Sequence, residues 1–327
     1  MNNQKLGSFA LCAMLVALGS FAEAQQPMKV PRVGYLSAPS RSAQSARHEA
    51  FRQGLRELGY VEGKNIVIEW RDAEGQLERL PDLAAELVRL KVDVIVAGGL
   101  PAARAAKQAT TTIPIVMTGG DPVRAGIVAS LARPGGNVTG LSDSTVDVST
   151  KRLELLKEVV PKLSRVAILW NPANPTNPLQ VKDTQAAAPS LGMTVYSVEV
   201  KEVGELEVAF TGIKRERAGG LLVPGDPMFT SNRKRTADLA AKHRLPAMFT
   251  AQEYVEAGGL MAYGENSTDR FRRLATYVDK ILKGAKPADL PVEAAMKFEL
   301  IINLKTAKQI GLTIPQSVLF RADKVIK

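Results

Sequence analysis

The sequence predicts an α/β protein of two Rossmann-like lobes, each a parallel sheet flanked by helices, joined by a multi-strand hinge. The first observation is that apolar runs of strand length alternate with helical patterns along most of the 327 residues. The second is that strand runs such as 94–96 and 115–117 are apolar throughout, as expected when helices cover both faces of a sheet. The third is that the alternation stops at a turn-rich break and then begins again.

The first half of the chain contains four strand-and-helix pairs. The expected strands are 32–37, 65–70, 93–97 and 114–118, and the expected helices are 44–58, 77–90, 101–109 and 122–131. Parallel strands need crossover connections, and right-handed crossovers place helices over the sheet. This half therefore predicts one open parallel sheet.

A second series follows the segment Arg-Pro-Gly-Gly-Asn at 133–137 and a short strand at 138–141. Its expected strands are 165–170, 193–200, 220–223 and 247–250, and its expected helices are 150–160, 179–191, 205–215 and 231–243. Residues 25–142 with 264–290 are assigned to lobe 1, and residues 143–263 with 291–327 to lobe 2. Hinge segments are expected near 140–146, 262–266 and 284–296.

Residues 1–24 have the layout of a cleaved secretory signal. They contain one early lysine, an apolar run from about residue 9 to 18, and a small-residue ending at Ala22-Glu23-Ala24. The run is too short for a membrane span. The only cysteine, Cys12, lies inside this segment and lacks the surroundings of a lipid-attachment site. The mature chain is therefore expected to be exported and soluble, without a thiol or a disulfide.

The formal net charge of +10 is compatible with several kinds of acidic partner. The basic residues are scattered, however, and the densest run, 233–235, begins an amphipathic helix pattern. No basic ribbon interleaved with aromatic residues is present. We therefore expect no nucleic-acid partner.

Few residues are candidates for catalytic chemistry. His48 and His243 lie in amphipathic helix patterns, which favours surface or interface positions. The segment Gly-Leu-Ser-Asp-Ser at 140–144 departs from a nucleophile elbow at its last residue. We expect no enzyme, no cofactor and no metal site.

Two strands, about a hundred residues apart, both run into Gly-Asp-Pro. Ligands of open α/β sheets bind beyond the carboxyl ends of the strands, so Asp121 and Asp226 would line one cleft if the two lobes face each other. Asp followed by Pro is also a favourable start for a helix, with Asp as the N-cap. Both interpretations remain open for each residue.

Further candidate ligand-binding residues lie at or near other strand ends. They are Tyr35, Ser37, Gly98, Gly99, Thr118, Gly119, Trp170, Asn171, Asn174, Gly225, Phe229 and Tyr263. We expect Asp226, and secondly Asp121, to meet a ligand ammonium group. Ser37, Thr118 and free N–H groups near Gly99 and Gly119 would bind a carboxylate or another acceptor, and the aromatic residues would supply apolar walls.

Four long stretches carry a family resemblance. They are RVGYLS, FRQGLRELGYVEGKNIVIEWRDAEG, DPVRAGIVASLARPGGNVTGLS and FELIINLKTAKQIGLTIPQSVLFRADKVI. They resemble the ABC-transporter substrate-binding protein family that includes the tryptophan-binding-lipoprotein-like proteins, which have the type I periplasmic-binding-protein fold. The resemblance covers essentially the whole mature chain.

The resemblance implies a monomeric, periplasmic receptor that closes around a small molecule and delivers it to an ABC permease in the inner membrane. It also implies an amino acid as the ligand, with aromatic amino acids first. A small organic acid is the alternative ligand, since the chain is basic and helix N-termini attract anions. The alternative role is a ligand-sensing or interaction protein of the same fold that docks on a membrane signalling partner.

Overall fold

The computed structural model describes residues 30–143, 146–295 and 297–327. Residues 31–327 form one compact unit. The expected signal segment, residues 1–24, lies outside the described residues. Among the helices in the described ranges, none is both long enough and apolar enough to span a membrane.

The sheet of lobe 1 has six strands in the order β11-β5-β4-β3-β1-β2, and all neighbouring strands are parallel. The strands are β1 (Arg32–Ser37), β2 (Val67–Asp72), β3 (Val94–Gly98), β4 (Ile115–Thr118), β5 (Val138–Ser142) and β11 (Glu293–Ala294). The strand order reverses at β1, and such a switch point opens a crevice beyond the carboxyl ends of the strands.

Helices cover both faces of this sheet. They are α1 (Ser45–Glu57) and α10 (Ser267–Leu282) on one face, and α2 (Leu80–Arg89) and α3 (Leu100–Ala109) on the other. Alternate residues of β1 enter opposite cores, with Tyr35 under α1 and α10 and Leu36 under α2 and α3. Helix α1 approaches α10 closely at Gly54, where a Cβ atom would lie 2.2 Å from the Arg272 carbonyl oxygen.

The expected helix at 122–131 does not form, which corrects the sequence prediction. The Asp121 carboxylate accepts the N–H groups of Val123 and Arg124, and the Ala125 N–H donates to the Asp121 carbonyl oxygen. Gly126 then adopts a φ of 69°, in the left-handed region, and ends the helical turn. The segment is a capped turn that packs on lobe 1 through Ile127 and Val128 and extends the Arg124 side chain to lobe 2.

The sheet of lobe 2 has seven strands in the order β13-β12-β10-β9-β8-β6-β7. Neighbouring strands are parallel, except that β12 runs antiparallel to β10. The strands are β6 (Arg165–Trp170), β7 (Thr194–Glu199), β8 (Gly220–Leu222), β9 (Ala247–Phe249), β10 (Met261–Gly264), β12 (Glu299–Asn303) and β13 (Lys324–Ile326).

Both faces of this sheet are also covered by helices. The helices of lobe 2 are α4 (Val146–Val159), α5 (Asn177–Ala187), α6 (Leu206–Arg215), α7 (Pro227–Ser231), α8 (Arg233–Lys242), α9 (Gln252–Glu256), α11 (Leu304–Gln309) and α12 (Gln316–Leu319). Val166 and Ile168 of β6 pack with α4 and α5, whereas Ala167 and Leu169 pack with α6 and α8. The predicted class, two helix-flanked α/β lobes, is confirmed.

The chain crosses between the lobes after β5, after β10 and after β11. One predicted boundary is wrong, because Glu293–Ala294 pair with Leu141 and Ser142 of β5 in the sheet of lobe 1. Gly264, at the other predicted boundary, belongs to β10 of lobe 2. Residues 144, 145 and 296 of the predicted hinge segments lie outside the described residues.

Candidate functional site

A cavity of about 150 Å³ lies between the two lobes, beyond the carboxyl ends of both sheets. Seven of the residues predicted from the sequence line it: Gly98, Gly99, Thr118, Gly119, Asn174, Gly225 and Asp226. Each follows or ends a central strand, where the open α/β architecture brings loops together. The cavity walls also contain charged residues on helices and hinge segments that the strand-end argument did not identify.

The lobe 1 wall offers hydrogen-bond donors. Helix α3 begins at Leu100 after the N-cap Gly99, and no side chain caps it. The first N–H groups of an uncapped helix have no partner within the helix, and they favour a negative charge. The N–H groups of Gly99 and Gly119 themselves donate to the carbonyl oxygens of Ala97 and Leu141. The N–H groups near Gly99 that have no partner within the helix are thus those of the first turn of α3, in which Pro101 has no N–H.

Thr118 is the second polar group of this wall. Its side chain is 1% exposed, and its Oγ1 atom has no hydrogen-bond partner among the described residues. Leaving a buried hydroxyl unpaired costs free energy, so such groups are normally satisfied by a neighbour, a water or a ligand. Because Thr118 lines the cavity, a bound molecule can supply that partner.

Asp226 lines the lobe 2 wall and also caps α7. Its Oδ1 accepts the N–H groups of Met228 at 2.8 Å and Phe229 at 3.3 Å, and its Oδ2 accepts the Asn174 amide at 3.0 Å. Burial raises the pKa of Asp226, and these hydrogen bonds offset part of that rise. The capping interpretation is thus confirmed, and a cavity position accompanies it.

Asp121 does not line the cavity, which corrects its expected position. Its carboxylate holds the turn after β4, as described above, and that turn presents Arg124 to lobe 2. The Arg124 guanidinium donates twice to the Asp183 carboxylate of α5, at 2.6 and 3.0 Å. Of the two Gly-Asp-Pro motifs, the first therefore supports a contact between the lobes.

Arginines and carboxylates are balanced around the cavity. Its lining includes Arg47, Arg152 and Arg270 together with Asp143, Asp226 and Glu265. Three cations facing three carboxylates favour a ligand that is itself electrically neutral overall.

Arg47 and Arg270 already have partners in the protein. Arg47 of lobe 1 donates to Glu253 of lobe 2 at 2.9 Å. Burial would raise the pKa of Glu253, but Arg47 and the Ser267 hydroxyl outweigh it and lower that pKa to about 2. Arg270 of α10 contacts Asp143 and, at 3.3 Å, Glu265. One arginine thus holds both hinge segments, the one after β5 and the one after β10.

Arg152 is the least engaged of the three arginines. Its Nε donates to the Tyr263 carbonyl oxygen at 2.8 Å. No carboxylate within the described ranges forms an ion pair with it. Burial lowers the pKa of the Arg152 guanidinium to about 10.

None of the four predicted aromatic walls lines the cavity, and three of them belong to the cores. Tyr35 is fully buried against His48, Phe51 and Trp70. Phe229 is fully buried in lobe 2, and Trp170 packs at a core edge while donating to Ser197. Of the surface or interface positions expected for His48, the surface one is wrong, since His48 is 3% exposed and packs between α1 and the sheet against Tyr35 and Trp70.

The remaining predicted residues have structural roles. Tyr263 stacks on Phe298 outside the cavity, and the Ser37 hydroxyl accepts the Gln44 amide within the core. Asn171 is buried and accepts the Ala173 N–H, which shapes the loop that carries Asn174. The aromatic walls are instead Tyr254 of α9 and Phe271 of α10.

The sequence contained one usable signal for the missed residues. Asp143 and Glu265 lie inside the predicted hinge segments, where a charge close to the cleft is expected. Arg47, Arg152 and Arg270 lie in the amphipathic patterns of α1, α4 and α10. Nothing in such a pattern distinguishes an arginine that faces a cleft from one that faces solvent.

Fold and site together define a two-lobed binding protein whose ligand cavity lies between hinged lobes. A family profile described as ABC transporter substrate binding protein matches residues 33–326. The chain belongs to that family. Solved structures of this class share its fold, the type I periplasmic-binding-protein fold.

Named relatives indicate what other members bind. The chain is 30% identical over 266 residues to the tyrosine-binding protein of Clostridioides difficile, with 81% of this chain and 76% of that protein covered. It is also similar to a solved structure of an ABC domain in complex with L-Trp from Streptococcus pneumonia. That similarity has 30% identity and a TM-score of 0.82, and it covers 90% of this chain and 100% of that one.

A third relative has nearly the same sequence identity to this chain as the L-Trp complex but a lower structural similarity. It is the ligand-free, open structure of a substrate binding protein with adhesive properties from Clostridium difficile, at 28% identity and a TM-score of 0.66, covering 91% of this chain and 100% of that one. The TM-score is higher for the L-Trp complex, although the identities are nearly equal. As a whole, the chain therefore resembles the L-Trp complex more than it resembles the open, ligand-free structure.

Proposed function

We propose that this protein is the solute-binding component of an ABC importer and that it captures an amino acid, aromatic amino acids first. The observation that carries the proposal is the buried, charge-balanced cavity between the lobes, with its unpaired Thr118 hydroxyl and uncapped α3 N-terminus. An α-amino acid carries one ammonium and one carboxylate, so it can pair with both kinds of group at no net charge. The relatives that bind tyrosine and L-Trp support the same class.

Each part of the ligand has a partner on the cavity wall. The carboxylate accepts from Thr118 and the first turn of α3, and the ammonium group donates to Asp226. Tyr254 and Phe271 offer aromatic surface to an aromatic side chain. A small organic acid, the alternative ligand, would bring no cationic group to Asp226, whose carboxylate otherwise accepts only amide N–H groups.

The ligand is captured when the two lobes close around it. Ligand groups from both lobes are satisfied only when the lobes meet, so binding favours the closed arrangement. The closed protein then presents both lobes to a permease in the inner membrane, which an ATPase drives. In this proposal the protein is a periplasmic monomer, exported through its cleaved signal, and it performs no catalysis. Docking on a signalling partner is the alternative role, and the adhesive relative shows that interaction roles occur among similar proteins.

The direct test is calorimetric titration of the mature chain, residues 25–327, with the twenty standard amino acids and with small organic acids. We expect reversible binding of at least one aromatic amino acid. A thermal melt should confirm it, because ligand at a hundredfold excess over Kd adds about 2.7 kcal/mol to the free energy of unfolding.

The matched variant is Asp226→Asn, which keeps an oxygen that can cap α7 but removes the charge. We expect its affinity to fall about tenfold or more, because a hydrogen bond to a charged group contributes about 1.5–3 kcal/mol. Asp226→Ala also loses the cap, which costs about 1 kcal/mol of stability. Unchanged affinity in Asp226→Asn would leave the residue a helix cap alone, and binding of organic acids but no amino acid would overturn the proposed ligand class.

A further inference from the structure

A small recess of about 20 Å³ opens from the cavity into lobe 2. Arg152, Gln180 and Thr250 line both the cavity and the recess, so they form its mouth. Its deeper lining includes Ile168, Leu222 and Met248. A volume of this size has room for about one non-hydrogen group. The recess can therefore receive the tip of a ligand side chain but not a whole ring.

The mouth of the recess contains an unpaired acceptor. The Gln180 Oε1 atom is buried, and it has no hydrogen-bond partner among the described residues. Gln180 lies on α5, one helical turn before Thr184, whose hydroxyl donates to the Gln180 carbonyl oxygen. The two residues face the recess from the same side of the helix. The Gln180 side chain thus places an unpaired amide oxygen at the mouth of the recess.

The Thr118 hydroxyl and the Gln180 amide oxygen lie in opposite lobes. Thr118 and the α3 N-terminus provide donors in lobe 1, which suit the carboxylate end of an amino acid. Gln180 provides an acceptor in lobe 2, beside apolar surface. A ligand that satisfies both lobes has a carboxylate at one end and, at the other, an apolar group that ends in a hydrogen-bond donor.

We propose that Gln180 determines specificity by accepting a hydrogen bond from the far edge of an aromatic side chain, which selects a phenol over an unsubstituted phenyl ring. The proposal rests on the proposed amino-acid function and deepens it. A phenyl ring in the same position covers the Gln180 oxygen without offering a donor. A buried acceptor left unsatisfied is costly, so sites of this kind reject the analogue that lacks the donor.

The test uses four ligands of similar shape, measured by calorimetric titration of the mature chain. L-Tyrosine and 4-amino-L-phenylalanine carry a donor at the ring edge, whereas L-phenylalanine and 4-fluoro-L-phenylalanine do not. We expect both donors to bind at least about tenfold more tightly than both analogues without one. The fluorinated analogue separates the effect of the donor from the effect of size.

The variant Gln180→Met keeps the length of the side chain and removes the acceptor. We expect the ratio of the L-phenylalanine Kd to the L-tyrosine Kd to fall from about tenfold or more to within about threefold. The matched control is Gln185→Met, an exposed glutamine of the same helix, which should keep the wild-type ratio.

Two results would overturn the proposal in distinguishable ways. If the wild-type protein binds all four ligands alike, or if Gln180→Met keeps the preference for donors, the specificity role of Gln180 is wrong while the amino-acid function stands. If none of the four ligands binds at millimolar concentration, the specificity role of Gln180 is wrong, and the titration with all twenty standard amino acids then decides whether the amino-acid function stands.

Discussion

Asp72 is a buried carboxylate outside the cavity, at the carboxyl end of β2. Its Oδ1 lies 3.5 Å from the His48 Nε2 atom, and neither atom has a hydrogen-bond partner among the described residues. Arg41 is 4.0 Å away but largely exposed. Burial raises the pKa of Asp72 from 3.8 to about 6, and burial with neighbouring arginines lowers that of His48 to about 4. At neutral pH the chain therefore buries an anion beside an uncharged imidazole.

The Asp72 pKa predicts a pH-dependent stability. The folded state binds the proton more tightly than the unfolded state, so this group lowers the free energy of unfolding as pH rises from about 4 through 6. Asp72→Asn removes that penalty. We expect the variant to be more stable than the wild type at pH 7.5, with a smaller gain at pH 5, by urea denaturation at both pH values. An equal gain in stability at both pH values would contradict the raised pKa of Asp72. A loss of stability at pH 7.5 would show that the contact with Arg41 outweighs the cost of burying the Asp72 charge.

The candidate site shows which side chains a sequence can locate. Gly98, Thr118 and Asp226 were predicted because a strand end has a fixed place in an open sheet. Tyr35 is also near a strand end, but the pleat turns its ring into the core beneath α1. Which face of β1 is buried under which helix depends on packing partners distant in the chain, and single-strand patterns do not contain that information.

The two Gly-Asp-Pro motifs lead into elements with a shared arrangement. The turn after Asp121 carries Arg124, which pairs with Asp183 in lobe 2. Helix α7, capped by Asp226, carries Ser231, whose hydroxyl accepts the Ser40 N–H of lobe 1 at 2.9 Å. In each case the aspartate fixes a short element, and that element contacts the opposite lobe. The sequence analysis predicted a helix in place of the turn after β4 because the apolar spacing there favours a helix, and Gly126 ends the helical turn.

The Arg124–Asp183 pair predicts an effect on affinity without contact to the ligand. Neither residue lines the cavity, and the pair can form only when the lobes are close. We expect Arg124→Gln and Asp183→Asn each to weaken amino-acid binding by about threefold, since partly exposed pairs contribute about 0.2–1 kcal/mol. The double variant should bind the ligand about as tightly as the single variant with the lower affinity. Additive losses, or unchanged affinity in both single variants, would show that the pair does not favour closure.

The whole molecule joins two similar α/β lobes through three crossings. The alternation of strands and helices was enough to predict this architecture, because parallel sheets leave few alternatives for the connections. The exact residues at which the chain crosses between the lobes were harder to predict. Glu293–Ala294 form a two-residue edge strand on β5, and no sequence period can reveal a strand of that length. The arrangement of the two lobes also could not be predicted from the sequence, since it depends on contacts between the lobes such as Arg47 with Glu253.

These contacts between the lobes predict that the ligand shifts the protein between two shapes. Contacts that join the lobes around the cavity include Arg47 and Ser267 with Glu253, Arg124 with Asp183, and Ser40 with Ser231. Arg124 is partly exposed, and ion pairs of that kind stabilise by roughly 1 kcal/mol or less, whereas Arg47 and Glu253 are largely buried. Without a ligand, closure would also leave the Thr118 hydroxyl unpaired in a buried cavity.

We therefore expect the ligand-free protein to populate an open shape and the loaded protein a closed one. Small-angle X-ray scattering should show a smaller radius of gyration when a bound amino acid is added to saturation. Asp226→Asn should need a proportionally higher ligand concentration for the same decrease, because the ligand can shift the equilibrium only by its differential affinity for the closed state. A radius that does not change on binding would mean that the contacts between the lobes hold the closed shape alone, and hinge closure would then play no part in capture.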